Sequence, residues 1–321
     1  MQLRVVLEKY QIGLYFLAVL AGAGFGRLMP FAVDWAAAIT PALACMLYLT
    51  FLQVPVAELG TAFRQRRFLA VLLAVNFILV PILVAALLHW APADPLLRLG
   101  MLFVLLTPCI DYVVTFAHLG RADARLLLAS TPVLLLVQML ALPLYLRLFL
   151  GEEAAQWVHP GPFVDAFIWM ILVPAALAGL TQALARRHRG ALAVADGLAL
   201  LCVPATALVL LVVVAAVMPS LRSMPAMAWS VVPLYLLYAL VAPVVGWWLA
   251  RWCGLKAMAG RAVAFSAGTR NSLVVLPLAL SVPGAMPLLP AVIVLQTLVE
   301  LLAELLYIRV LPRWGASGKA V

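Results

Sequence analysis

The sequence predicts an all-α membrane protein of about ten transmembrane helices, arranged as two inverted five-helix repeats. Three observations carry that prediction. Of the 321 residues, 67% are hydrophobic and only 10% charged, more apolar surface than a water-soluble domain can bury. The apolar residues gather into runs of roughly twenty, enough to cross a hydrocarbon layer of about 30 Å. Two of these runs, at matching places in the two halves, are interrupted by polar and charged residues. One reads Leu105-Leu106-Thr107-Pro108-Cys109-Ile110-Asp111-Tyr112 and the other Ser266-Ala267-Gly268-Thr269-Arg270-Asn271-Ser272-Leu273. Charge inside a membrane segment is expensive and marks a solute or ion path. A pair of such interruptions is the sequence mark of a secondary transporter.

The first run, 11–29, follows Arg4 and Lys9 but is too long for the apolar core of a secretory signal, so it reads as the first span. The second, 36–56, and the third, 68–90, are separated by the basic residues Arg64, Arg66 and Arg67. The fourth, 96–118, contains the first interruption, around 107–112. Pro108 lacks an amide donor and disfavours helix at Thr107, so the helix should break just before Cys109. A half-helix restarting there points its positive end at whatever binds. The fifth, 124–149, holds Pro132 and Gln138 and ends in Tyr145-Leu146-Arg147.

A connection at 151–161, the longest in the chain, divides the sequence nearly in half. The sixth and seventh runs, 164–184 and 193–218, flank Arg186-Arg187-His188-Arg189. The eighth, 228–250, closes on Trp247-Trp248 near Arg251, an interfacial aromatic belt. The ninth, 260–281, carries the second interruption, around 267–273. There Gly268 permits unusual dihedrals, and Thr269, Asn271 and Ser272 offer hydroxyl and amide groups. The tenth, 289–310, repeats the fifth: Pro290 and Gln296 are followed by Tyr307-Ile308-Arg309, with about one extra helical turn between. Residues 1–155 therefore read as the first repeat and 156–321 as the second. Five spans in each make their orientations opposite.

Sixteen of the 21 Lys and Arg residues fall on one side of this arrangement, which by the positive-inside rule is the cytoplasm. Both termini then lie inside, in a multi-pass inner-membrane protein whose main partner is the lipid bilayer. The net charge of +9 is spread over short loops and forms no nucleic-acid patch. Cys45, Cys109, Cys202 and Cys253 have no disulfide or zinc spacing, and no metal or cofactor is expected. No paired catalytic carboxylates or His-rich cluster suggests an enzyme.

Asp111 and Arg270 are the full charges placed near mid-membrane in the broken spans, and they can pair if those spans cross. Two roles are open to them. The pair can be a structural salt bridge; or Asp111 exchanges a proton while Arg270 orients an anionic or oxygen-rich solute. Glu300 lies deep in the tenth span as a second candidate proton carrier, whereas Glu304 lies nearer the inner end, where it can reach the interface. Asn76, Gln138 and Gln296, with Gln53, read as hydrogen-bond partners between helices. His118 reads as an interface residue.

The stretch from Pro108 through Cys109 and Asp111 to Leu119-Gly120-Arg121-Ala122-Asp123 is similar to a known fourth-span pattern. Asn76-Phe77 followed by Pro81 is similar to the third span of the same group. Over nearly all its spans the chain resembles the bile acid/sodium symporter superfamily, and within it the arsenite-permease branch. The resemblance implies a panel domain and a core domain, with broken helices four and nine crossing in the core and alternating access between the two. It also implies proton-coupled efflux of arsenite and antimonite, with Cys109 as a soft ligand for trivalent arsenic beside Thr107, Arg270, Asn271 and Ser272. Where those relatives carry a ninth-span glutamate, this chain has Arg270-Asn271-Ser272-Leu273, so proton coupling through Asp111 is expected over sodium coupling. The alternative is a sodium- or proton-coupled transporter of a small organic anion, held by Arg270.

Overall fold

The computed structural model describes residues 2–53, 65–110, 112–151, 165, 168–221, 227, 229–282, 284 and 288–315. Asp111 lies outside them. No strand occurs among the described residues; the one β-type pairing is an isolated antiparallel bridge between Pro108 and Arg270. Seven helices among the described residues are long and apolar enough to cross a membrane. They correspond to the first, second, third, fifth, seventh, eighth and tenth predicted spans. The fourth and ninth fall short because each is broken in the middle. The sixth is described only in part.

In chain order the helices are α1 (Gln2–Leu28), α2 (Ala36–Gln53), α3 (Arg66–Ala74), α4 (Val80–Leu88), α5 (Pro95–Leu105), α6 (Val113–Leu119) and α7 (Ala124–Leu150). There follow α8 (Val173–Ala185), α9 (Arg189–Ala199), α10 (Cys202–Leu221), α11 (Val232–Trp252), α12 (Ala257–Gly268), α13 (Ser272–Leu280) and α14 (Leu288–Val310). Two aspartates set helix starts. Asp94 accepts from the Leu97 amide at 2.9 Å to begin α5, with Pro95 in the first turn, and Asp123 accepts from the Leu126 amide at 3.2 Å to begin α7.

Helices α3 and α4 are one span joined by a π turn at Val75–Leu79. Pro81 has no amide to give the Phe77 carbonyl, and the Tyr145 hydroxyl from α7 donates to that carbonyl instead. The same repair recurs in α11. Pro243 leaves the Ala239 carbonyl free, and the Tyr307 hydroxyl from α14 donates to it. Proline, carbonyl and tyrosine in the second set each lie 162 positions after their counterparts in the first.

The chain forms two compact units, and each draws on both sequence halves. One gathers Met1–Val54, Gln156–Ala228 and Leu273–Val294; the other gathers Pro55–Ala155, Trp229–Ser272 and Leu295–Val321. In the first unit α1 packs closely on α10. A Cβ at Gly22 would come within 2.6 Å of the Leu211 carbonyl oxygen, so only glycine permits this approach. Gly26, four residues on, lies as tightly against Ala215 and Met218, the small-residue spacing that brings membrane helices together.

In the second unit α7 has two faces. Leu136, Leu140, Leu144 and Leu148 follow one another at every fourth position and are 63–80% exposed, while Ser130, Thr131 and Gln138 are buried. Apolar groups outside and polar groups inside is the order that lipid imposes.

Candidate functional site

The interruptions in the fourth and ninth spans meet in the second unit. Helix α5 ends at Leu105 and α6 begins at Val113; α12 ends at Gly268 and α13 begins at Ser272. Across the gap the Cys109 amide donates to the Thr269 carbonyl at 3.1 Å, and the Asn271 amide donates to the Thr107 carbonyl at 2.8 Å. Two unwound strands of backbone thus satisfy each other in place of water. On each side a threonine closes the preceding turn. The Thr107 hydroxyl donates to the Phe103 carbonyl at 2.9 Å, and that of Thr269 to the Phe265 carbonyl at 2.7 Å. Every member of these pairs again has its counterpart 162 positions away, so Pro108 faces its own counterpart, Arg270, across the bridge.

Beneath the crossing Glu300 of α14 collects three donors. Its Oε1 accepts from the Tyr112 hydroxyl at 2.6 Å, and its Oε2 from the Arg270 backbone amide at 2.7 Å and the Gln296 side-chain amide at 2.6 Å. Gln296 in turn accepts from the Ser272 hydroxyl at 2.6 Å, which ties the start of α13 to the same network. One turn further along α14, Glu304 is fully buried and hydrogen-bonded to the Thr269 hydroxyl rather than reaching an interface.

The Arg270 side chain is also fully buried. Its guanidinium donates to Asn76 Oδ1 at 2.8 Å, to the Ala267 carbonyl at 2.9 Å, to the Ser266 carbonyl, and to the Leu105 carbonyl at 3.4 Å. The Tyr238 ring lies 5.7 Å from the guanidinium carbon, in cation–π range. Asn76 is itself oriented, because its amide nitrogen donates to the Leu72 carbonyl and to Ser266 Oγ, both at 3.0 Å.

The structure therefore brings Thr107, Pro108, Cys109, Arg270, Asn271 and Ser272 together, with Asn76, Gln296 and Glu300 packed around them. All are buried, and Cys109 is in no disulfide. Asp111 lies outside the described residues, so its expected pairing with Arg270 does too. Gln138 stands apart: it is buried in α7, and neither atom of its amide has a hydrogen-bond partner among the described residues. Gly268 ends α12 as expected, but for a different reason. Its φ is not positive; a Cβ there would sit 2.7 Å from the Tyr307 ring and 2.8 Å from Pro243. His118 is exposed near the end of α6, and Gln53 donates to the Ala199 carbonyl at 3.1 Å.

Sequence reasoning missed four participants: Tyr112, Tyr238, Ser266 and Glu304. Tyr112 and Ser266 lie within the interruptions and were legible as polar groups in apolar runs. Tyr238 gave no signal, since a lone tyrosine in a membrane span has many uses. Among the described residues no cluster of His, Cys, Asp and Glu has the makings of a metal site.

The family model for the Sodium Bile acid symporter family matches residues 40–229, more than half of the chain. No curated protein matches it.

Proposed function

The chain belongs to the Sodium Bile acid symporter family, and from that premise we propose that it is a secondary active transporter of a small organic anion, working by alternating access. The observation that carries the reading is the hydrogen-bonded crossing of two broken helices, where unwound backbone and buried polar side chains meet. Thr107, Cys109, Asn271 and Ser272 are assigned to the solute path. The matched bonds at a constant spacing of 162 support reading 1–155 and 156–321 as inverted repeats. On that spacing the counterpart of Gln138 is Glu300, with no extra turn required. The division of the chain into two compact units supports alternating access, which needs two bodies. The basic loops support cytoplasmic termini and insertion in the inner membrane.

Arg270 is committed to neutral oxygens on several sides, which supports a part in holding the crossing over a direct clamp on the anion. Glu300 and Asp111 are the groups assigned to ion or proton coupling. Glu300 is suited to it because it touches both the start of α13, through Gln296, and the backbone of Arg270. Arsenite and antimonite efflux through the Cys109 thiol is a narrower reading, to which the family match lends no support.

Reconstituted vesicles test this. A set of carboxylated and sulfonated organic anions is offered under imposed proton and sodium gradients, with arsenite alongside. At least one anion is expected to accumulate and to exchange with its own kind. Accumulation of arsenite and of no anion would reverse the choice. Glu300→Gln is expected to keep anion exchange while losing accumulation driven by a gradient; full gradient-driven uptake in that variant removes Glu300 from coupling.

A further inference from the structure

The unwinding at the crossing has a chemical consequence for Leu105, Ser266 and Ala267. In an uninterrupted helix their carbonyls would accept from the amides of residues 109, 270 and 271. All three amides are diverted: Cys109 to Thr269, Asn271 to Thr107, and Arg270 to Glu300. All three carbonyl oxygens have lost their helical donors, though that of Ala267 also accepts from the Tyr238 hydroxyl at 2.8 Å, and they sit at the C-terminal ends of two half-helices that converge on one point. Each such end carries roughly half an elementary negative charge, so two make about one. The Asn76 side-chain oxygen, fixed by its own two bonds, adds a fourth ligand. This is an oxygen cage with the charge and ligand type for a monovalent cation, and transporters place cations at unwound carbonyls and half-helix C-terminal ends. Here the chain fills the cage itself. All four oxygens accept from the guanidinium of Arg270, and the face of Tyr238 lies against it.

We propose that Arg270 is a tethered cation that occupies the oxygen cage of the crossing, so that the crossing is complete without an inorganic ion and the transporter takes up no sodium there. Removal of the side chain should open a site for a small monovalent cation, either an alkali ion or a guanidinium. The inference deepens the transporter reading and rests on it for its functional meaning. Its physical content, a cation site already filled, can be measured without any transported solute.

The experiment follows thermal unfolding of the purified full chain in detergent, in sodium chloride against choline chloride at equal ionic strength. Unfolding of the native protein is expected to be indifferent to that exchange. A saturable stabilisation by sodium would overturn the proposal. Arg270→Ala is expected to unfold at a lower temperature than the native chain, and millimolar methylguanidinium or sodium to raise it again by a few degrees where choline does not. An Arg270→Ala chain as stable as the native one, or destabilised and deaf to every cation, overturns the proposal as well. Should Arg270→Ala fail to fold, the native titration and Arg270→Lys decide the matter. The lysine variant keeps a tethered charge and is expected to fold and to ignore sodium; stabilisation of it by sodium counts against the proposal. A sodium effect would sink the assignment of Arg270 while leaving organic-anion transport standing. A failed anion assay would leave the cation titrations intact.

Discussion

Gly268 shows how one residue is fixed by its neighbours rather than by its own dihedrals. It ends α12 where the Tyr307 ring and Pro243 close in, and a methyl group would collide with both. Neither ring can yield far, because the Tyr307 hydroxyl is bonded to the Ala239 carbonyl, the one that Pro243 leaves free. Gly268→Ala should therefore destabilise by about 1–3 kcal/mol, as overpacking does. Thermal unfolding in detergent measures it; an unchanged midpoint would mean that this packing is slack. Gly179, by contrast, has open space around it, and Gly179→Ala should leave the midpoint nearly unmoved. The glycine was legible in the sequence as part of an interruption. The collision that requires it was not, since Tyr307 and Pro243 lie in other spans.

Among the elements, the recurring device is a proline that frees a carbonyl and a tyrosine on another helix that caps it. Pro81, Phe77 and Tyr145 form one set; Pro243, Ala239 and Tyr307 form the other. Tyr145→Phe and Tyr307→Phe should each destabilise by about 1 kcal/mol, the usual size of a hydrogen bond between membrane helices. If the hydroxyl acts by replacing the missing amide, Pro81→Ala should remove most of the effect of Tyr145→Phe, because the restored amide takes the carbonyl back. A double-mutant cycle reads this directly, and additive losses would refute the substitution of one donor for the other. The prolines and tyrosines were visible in the sequence, and so were the breaks at Pro108 and after Gly268. The pairing of proline with tyrosine was invisible, because nothing local says which free carbonyl a distant hydroxyl will reach.

For the whole molecule, the solvent decides the first order of things. Runs of apolar residues about twenty long, basic loops and buried polar groups all follow from lipid on the outside. Arg187→Cys and Ala93→Cys, each in a chain otherwise free of cysteine, should react with a membrane-impermeant thiol reagent from opposite sides. Arg187 is expected to face the cytoplasm and Ala93 the exterior. Labelling of both from one side would overturn the orientation drawn from Lys and Arg. The sequence by itself determined that the chain is helical and lives in a membrane. It also determined where two spans must break, since proline, glycine and charge act on their own neighbourhood whatever the rest of the fold does. Only the tertiary structure decided what the broken ends do. It joined Thr107 and Cys109 to Thr269 and Asn271, put Glu300 under the crossing, and turned Arg270 inward onto four neutral oxygens. The reason is that a buried polar group is defined by its partner. Apart from the Ser266 and Ala267 carbonyls, which share a span with Arg270, these partners lie in other spans, up to 194 positions away for Arg270 and Asn76, so only folding can select among ligand, proton carrier and structural cation.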